Sequence, residues 1–367
     1  MSSEGAIEGP HVACRGEVVV AANVAGIEAG GRAPADAQAE FDLAFANLIE
    51  VAAAEGVKPE AIGLVNVWIA ERALRAHIDP AWLRCFPGPA RPARKTNEAP
   101  LDGGARVLLQ AYARRGAAAT AIEIPEMAHR SPLPPAARLG SWIFSSVIGG
   151  ENPQDKSLSA DPEAQIAQAF DNVRFLMEAA GGDVRGVAHM WVFLSDMKLN
   201  GAMLESYLRM FATEGDRPAR KTVPYALPAG AHIQIQIAGD VSGRRGNFEV
   251  PGVGHHDPIP MGAAAGGLLF SSGVYGIDPK TSEMVVGGVE AEIDATLANV
   301  ESLMRVAGGS VADIAGLTWL VRDYALVPTL RAKMAALFGA ELPALHFANY
   351  QLPSALRVQA HVVAALP

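Results

Sequence analysis

RPARKT occurs twice in this chain, at Arg91–Thr96 and again at Arg217–Thr222, 126 residues apart. A third copy at that interval falls near residue 343, where the chain reads LPALHF, so Leu345 stands where Arg94 and Arg220 stand and His346 follows it. Six residues rarely recur by accident, and self-similarity at one period marks a repeated structural unit. With Arg220 laid on Arg94, residues 39–69, 164–194 and 291–321 also superpose. Each stretch reads as an amphipathic helix, a glycine-containing break and a short apolar strand. In the second copy Ile166, Phe170, Val173, Leu176 and Met177 keep helical spacing. Gly181–Gly182 then stop the helix, and the apolar, aromatic run Met190 to Leu194 suits a central strand. Asn47, Asn172 and Asn299 occupy the same place in the three helices.

A second register lies upstream. AHRSPLPPAARLGSWIFSS ends at Ser146 and GHHDPIPMGAAAGGLLFSS ends at Ser272, again 126 residues apart. The first copy enters its equivalent strand at GEVVVAANVAG, with Ala21 and Ala22 in place of the paired serines. Three units result, a degenerate one over 11–116, then 127–242 and 253–366, joined by proline-rich linkers around Pro125–Pro135 and Pro251–Pro260. Each is expected to run β-β-α-β-α-β, an α+β pattern with helices on one face of a sheet. HIQIQI alternates strictly, with His232, Gln234 and Gln236 on one face and Ile233, Ile235 and Ile237 on the other. Arg357, Gln359 and His361 alternate in the same way with Val358, Ala360 and Val362.

Composition narrows the function. The chain has 367 residues, half of them hydrophobic, and a net charge of -9. That balance lacks the basic footprint a phosphate backbone requires, so no nucleic-acid partner is expected. Two cysteines, Cys14 and Cys85, are too few for a disulfide framework or a thiolate metal site, and they suit a reducing cytoplasm. The start, MSSEGAIEGPH, has no apolar run, and no stretch reaches about 18 uninterrupted apolar residues, so neither a signal peptide nor a membrane partner is expected.

At this level of detail the chain resembles the Rid family, also called YjgF/YER057c/UK114. The marks are Asn172-Val173 in the helix, VFLSD over 192–196, the PAR turn and the LP-x-G-A turn at 227–231. The second unit is the clearest copy, the third matches except at the arginine, and the first matches in its helix, PAR and last strand. The resemblance implies a chorismate-mutase-like fold whose single-unit members form homotrimers with clefts between subunits. Three fused copies then imply an intramolecular pseudo-trimer, a monomer or a low-order homo-oligomer of it. Fusion keeps the units at high effective concentration and lets the three clefts diverge separately.

The resemblance also nominates residues. Arg94 and Arg220 are expected to grip a substrate carboxylate, for which a planar guanidinium fork is suited. Ser145, Ser272 and Gln234 are the further catalytic candidates, and Ser146, Ser271, Gly273, Tyr275 and Gln359 the further substrate contacts. Deaminating relatives carry a glutamate on the last strand, but its place is taken here by Leu108, Gln234 and Gln359. Glutamine can orient a water and cannot take its proton. His255, His256 and Asp257 form the densest histidine group, with His129 matching His255; this is a weak metal pattern, so no metal is expected, and one of these histidines could move a proton near a cleft. Lys95 and Lys221 point away from the arginines along an extended segment and are read as solvated. No cofactor fingerprint is present.

The leading expectation is a hydrolase or deaminase acting on an imine, enamine or related C–N bond of a small carboxylate-bearing metabolite, with one or two of three clefts active. The alternatives are a cyclic-amide hydrolase or chorismatase-like enzyme on the same fold, and a non-catalytic carboxylate-metabolite binding protein.

Overall fold

The structure is a computed structural model that describes residues 9–28, 31–350, 352–353 and 355–367. Residues 1–8, on which the reading of the chain start rests, lie outside the described residues.

Three large sheets follow one another along the chain. The first holds β1 (His11–Arg15), β2 (Val18–Ala25), β3 (Ile62–Ile69), β4 (Ala93–Glu98) and β5 (Val107–Arg114), with α1 (Ala37–Ala54) and α2 (Ile78–Cys85) between strands. The second holds β6 (Ala119–Ile122), β7 (Ala136–Leu139), β8 (Trp142–Ser145), β9 (Ile148–Gly149), β10 (Val187–Leu194), β11 (Ala219–Pro224) and β12 (Ile233–Asp240), with α3 (Pro162–Ala179) and α4 (Asn200–Met210). The third holds β13 (Gly246–Phe248), β14 (Gly262–Ala265), β15 (Leu268–Ser271), β18 (Ile314–Val321), β19 (Ala344–Asn349) and β20 (Val358–Ala365), with α5 (Val289–Val306) and α6 (Val327–Phe338); β16 (Ile277–Asp278) and β17 (Glu283–Met284) form a small hairpin beside it.

The strand orders correspond. The first sheet runs β1-β2-β5-β3-β4, the second β6-β7-β8-β12-β10-β11, and the third β13-β14-β15-β20-β18-β19. Even the irregularities match, since the central antiparallel pair is bulged at Gly63, Ala188 and Ala315 in the three sheets. The expected β-β-α-β-α-β order is one strand short. The arginine segments are not turns. Ala93–Glu98 and Ala219–Pro224 are strands, paired in parallel with β3 and β10. Their polar sequences hide this, because β-propensity reflects a half-buried surface more than a backbone preference.

The helices cover one face of each sheet, where Ile166, Phe170, Val173, Leu176 and Met177 of α3 are all buried against Ile233, Ile235 and Ile237 of β12. Asp161 caps the start of α3 by accepting a hydrogen bond from the Glu163 N–H, and Gly181, at φ +83°, ends it in the left-handed region where glycine carries no steric penalty. The opposite faces of the three sheets meet each other. Val20 and Leu64 of the first, Leu139 and Phe144 of the second, and Leu268, Phe270 and Val363 of the third share one apolar cluster. The contacts run head to tail, with β3 and β4 against β8, β10 and β11 against β15, and β18 and β19 against β2.

Candidate active site at the sheet seams

Each arginine strand is the edge of its sheet, so it carries backbone groups that need partners from elsewhere. Ser272 of the third sheet supplies one, its Oγ accepting the Arg220 backbone N–H at 3.0 Å while donating to the Pro260 carbonyl at 2.7 Å. Ser146 of the second sheet does the same for the first, accepting from the Arg94 N–H at 3.0 Å and donating to Pro134 O at 2.6 Å. Both serines are fully buried. A hydroxyl bonded as donor and acceptor thus stitches two seams.

The Arg220 guanidinium is 2% exposed and lies over the Tyr207 ring of α4, with Cζ 4.8 Å from the centroid. It donates to Thr222 Oγ1 at 3.1 Å and to Asp257 Oδ2 at 2.5 Å, and its Nε has no partner. Arg94 is 5% exposed, lies 4.8 Å over Trp82 of α2, and donates to Asp79 Oδ1 at 2.5 Å, leaving one terminal nitrogen unpartnered. The two carboxylates come from different places. Asp79 is on the arginine's own α2, whereas Asp257 comes from the segment leading into the third sheet. Each guanidinium is charge-compensated and keeps donors free, the Nε–H of Arg220 and both hydrogens of one terminal nitrogen of Arg94.

A half-buried histidine attends each arginine. His255 has an unpartnered Nε2 and feels the charges of Lys221, Arg220 and Asp257; burial, then those cations, pulls it down to about 4. His129 also has a free Nε2 and is pulled to about 4 by burial first and then by Arg94 and Lys156. Both imidazoles are therefore neutral near pH 7 and weaker bases than a free histidine, with Nε2 unengaged. His255 and Tyr275 line an open depression of about 520 Å³ with His256 and Ser282. His256 is exposed, and among the described residues no group of three or more acidic, histidine or cysteine side chains is placed to hold a metal.

Other nominated residues sit apart from the guanidiniums. The Ser145 hydroxyl accepts the Ile237 N–H at 2.8 Å and Ser271 accepts the Val362 N–H at 2.8 Å, so these two bind strands within their own sheets. Gly273 does not open backbone to a ligand, because the Gln359 amide occupies the space its Cβ would need, 2.1 Å from Nε2. Gln359 in turn accepts a hydrogen bond from the Lys221 ammonium across the seam. Gln234 is half-buried, in register with Phe193 and Gly149, and Leu108 joins an apolar cluster with Phe193 and Leu320. Tyr275 donates from its hydroxyl to Gly254 O at 3.4 Å, and its ring lies 5.7 Å from His255.

The lysines are not solvated. Lys95 is 1% exposed and Lys221 is 9%. They do point away from the arginines, but the next sheet covers that side too. Lys95 donates to Thr96 O at 3.0 Å and lies over Phe193 and Tyr225 of the second sheet, at 4.1 and 4.5 Å. Burial brings Lys221 down to about 8.

The third seam is apolar. Leu345 is 1% exposed in the core of its own sheet, and His346 is fully buried against Trp68 of the first sheet, with ring centroids 4.7 Å apart and no hydrogen-bond partner on either nitrogen.

The Endoribonuclease L-PSP family model matches residues 125–240 and 260–365, more than half of the chain. The chain belongs to this family, the Rid proteins. Its relatives include the 2-iminobutanoate/2-iminopropanoate deaminase of Escherichia coli, 35% identical over 101 residues, which is 27% of this chain and 78% of the relative. A RutC family protein of Aquifex aeolicus is 29% identical over 107 residues, 29% of this chain and 86% of the relative. Among solved structures, a chorismatase covers 83% of this chain and 93% of its own with a TM-score of 0.57 and 16% identity, a likeness of fold. This Rid protein therefore carries repeated units of a mixed α+β fold, in a family that includes hydrolytic deaminases. Sequence reasoning missed the partner carboxylates Asp79 and Asp257. Asp257 stands out in the sequence only as part of a histidine-rich group, and the acidic residue at the register of Asp79 in the second unit, Glu205, is not the one Arg220 pairs with.

Proposed function

We propose that the chain is a closed ring of three Rid units, 11–116, 127–242 and 253–366, in which the seams at Arg94 and Arg220 hydrolyse a C–N bond of a small carboxylate-bearing imine or enamine. The matching strand orders, the head-to-tail seams and the fold likeness to chorismatase across most of the chain support the ring. The observation that carries the chemistry is at the Arg220 seam, where a buried guanidinium with one free N–H acts on a neutral imidazole whose Nε2 is also free.

In this reading Arg220 takes the substrate carboxylate, with Asp257 yielding its place, and the site fixes the C=N carbon beside His255. Water adds its oxygen to that carbon. His255 takes the water proton and passes it to the nitrogen, and the carbinolamine collapses to a ketone and ammonia. Neutral His255 thus supplies the proton transfer that no glutamine on the last strand can supply. Catalysis needs no cofactor in this scheme, and a cytoplasmic enzyme, monomeric or a low-order oligomer, suits the small soluble substrate.

Ammonia release from 2-iminobutanoate generated in situ tests it. The wild type should outpace buffer, and Arg220→Ala with Arg94→Ala should lower the rate ~100-fold, the scale for losing an oriented charge donor. Folded wild-type protein that adds nothing to the buffer rate would remove the reading. A carboxylate-binding protein without turnover is the second reading, favoured by the Gln359 amide being committed to Lys221. Tight carboxylate binding with no ammonia release would select it.

A further inference from the structure

Where the three sheets meet, their inner faces enclose a chamber of about 50 Å³, lined from all three by residues that include Asn66, Tyr112, His189, Trp191, Thr318 and His361. It is separate from the arginines, none of which lines it. We propose that this chamber is a binding site for a small monovalent anion of halide size.

Most of its polar groups satisfy one another. Gln236 Nε2 donates to Asn66 Oδ1 at 3.2 Å, Asn66 Nδ2 to Gln110 Oε1 at 3.4 Å, and Gln110 Nε2 to Thr318 Oγ1 at 2.9 Å, a relay running through all three sheets. Among the lining side chains outside this relay, two have fully buried ring nitrogens left over. Trp191 Nε1 is buried with no acceptor, and His361, 6% exposed, makes no well-aligned hydrogen bond from either ring nitrogen, with only the Ser271 backbone beside it. The two rings stack at 5.6 Å and both line the chamber. A buried donor left unmade is costly, so each such group calls for an occupant.

The chemistry of the vacant groups selects that occupant. Indole Nε1 only donates, so whatever meets it must offer a lone pair, which excludes a cation as its direct partner. The charged and titratable groups acting on His361 are Lys221, His189 and His255, with no carboxylate among them. Lys221 is itself buried with only the neutral Gln359 amide on its ammonium. The interior thus holds buried positive charge without a described acidic partner, beside a chamber that presents N–H donors on an otherwise aromatic and aliphatic wall. Its volume admits about three waters or one small anion with a water. Water can satisfy the donors, but it adds no charge to offset Lys221, which does not line the chamber yet acts on His361 in its wall. An anion satisfies the donors and lies in the field of that ammonium.

The test is a bromide soak of crystals grown without halide, with diffraction data collected at the bromine edge, paired with melting curves in bromide against gluconate at constant ionic strength. The expected result is an anomalous peak within hydrogen-bond distance of Trp191 Nε1 and His361, together with a saturable rise in Tm. Trp191→Phe keeps the ring and removes the donor, and it should raise the half-saturating bromide concentration about tenfold or more, the effect of one lost charge-assisted hydrogen bond. Ordinary water density without anomalous signal overturns the proposal. So does a peak at soaking concentration with no saturable Tm rise in solution, because that is binding at crystal concentration only. If Trp191→Phe does not fold, the wild-type soak and melting curves still decide.

Discussion

The Arg220 seam and the Leu345 seam occupy equivalent positions and solve the same packing problem in opposite ways. At the first, a buried guanidinium is compensated by Asp257, stacked on Tyr207 and stitched to the next sheet through Ser272. At the second, leucine replaces arginine, histidine replaces lysine, and Ala22 stands where Ser146 and Ser272 stand in the other two. The polar seam needs a full set of partners, because a buried charge lacking any one of them is strongly destabilising. The apolar seam needs only shape. One chain can therefore keep a charged seam at two places and an apolar one at the third, which three identical subunits cannot do.

The largest effect should come from forcing the apolar seam to carry the charge. Leu345→Arg places a guanidinium in the third sheet's core and should cost on the order of 3–5 kcal/mol, read as a fall in the urea midpoint. Next is the acid response of the buried histidine beside it. Burial holds His346 at about 3, below its ordinary 6.5. The unfolded chain then binds more protons than the native one between about pH 6.5 and 3, so stability is lost as pH falls through that window. His346→Leu should retain roughly 2–4 kcal/mol that the wild type loses there. At the polar seam, Ser272→Ala removes the hydroxyl from the Arg220 N–H and the Pro260 carbonyl and should cost about 1–3 kcal/mol, whereas Ala22→Ser at the third seam should gain nothing comparable. The smallest expected change is in affinity, and it comes with lost stability of the unliganded protein. Asp257→Asn leaves the buried Arg220 charge uncompensated, so the carboxylate of 2-oxobutanoate should bind about tenfold more tightly by calorimetry, as Asp79→Asn should allow for Arg94.

The sequence carried the repeated elements well because they rest on local pattern. The spacing of Ile166, Phe170, Val173, Leu176 and Met177 and the glycines after them need only the 3.6-residue period and a stop signal. The matching asparagines were visible, though not their task. Asn47, Asn172 and Asn299 each donate to two carbonyls of the stretch between the strands and the helix, those of Ala25 and Ile27, Gly149 and Glu151, and Tyr275 and Ile277, pinning it to the helix. What the sequence hid was everything decided between sheets. Alternation placed Lys95 and Lys221 opposite the arginines, but it could not say that another sheet would cover them. The partners of the arginines escaped for a related reason. Asp79 precedes its arginine by 15 residues and Asp257 follows its own by 37, so no single spacing describes both.

The most direct measurement is a crystal structure with 2-oxobutanoate, the keto acid left when 2-iminobutanoate loses ammonia, at a concentration that saturates binding in solution. The expected result is its carboxylate on the Arg220 guanidinium with Asp257 displaced and the keto carbon facing His255. An intact Arg220–Asp257 pair with the ligand bound elsewhere, or bound nowhere, would contradict the role assigned to the seam.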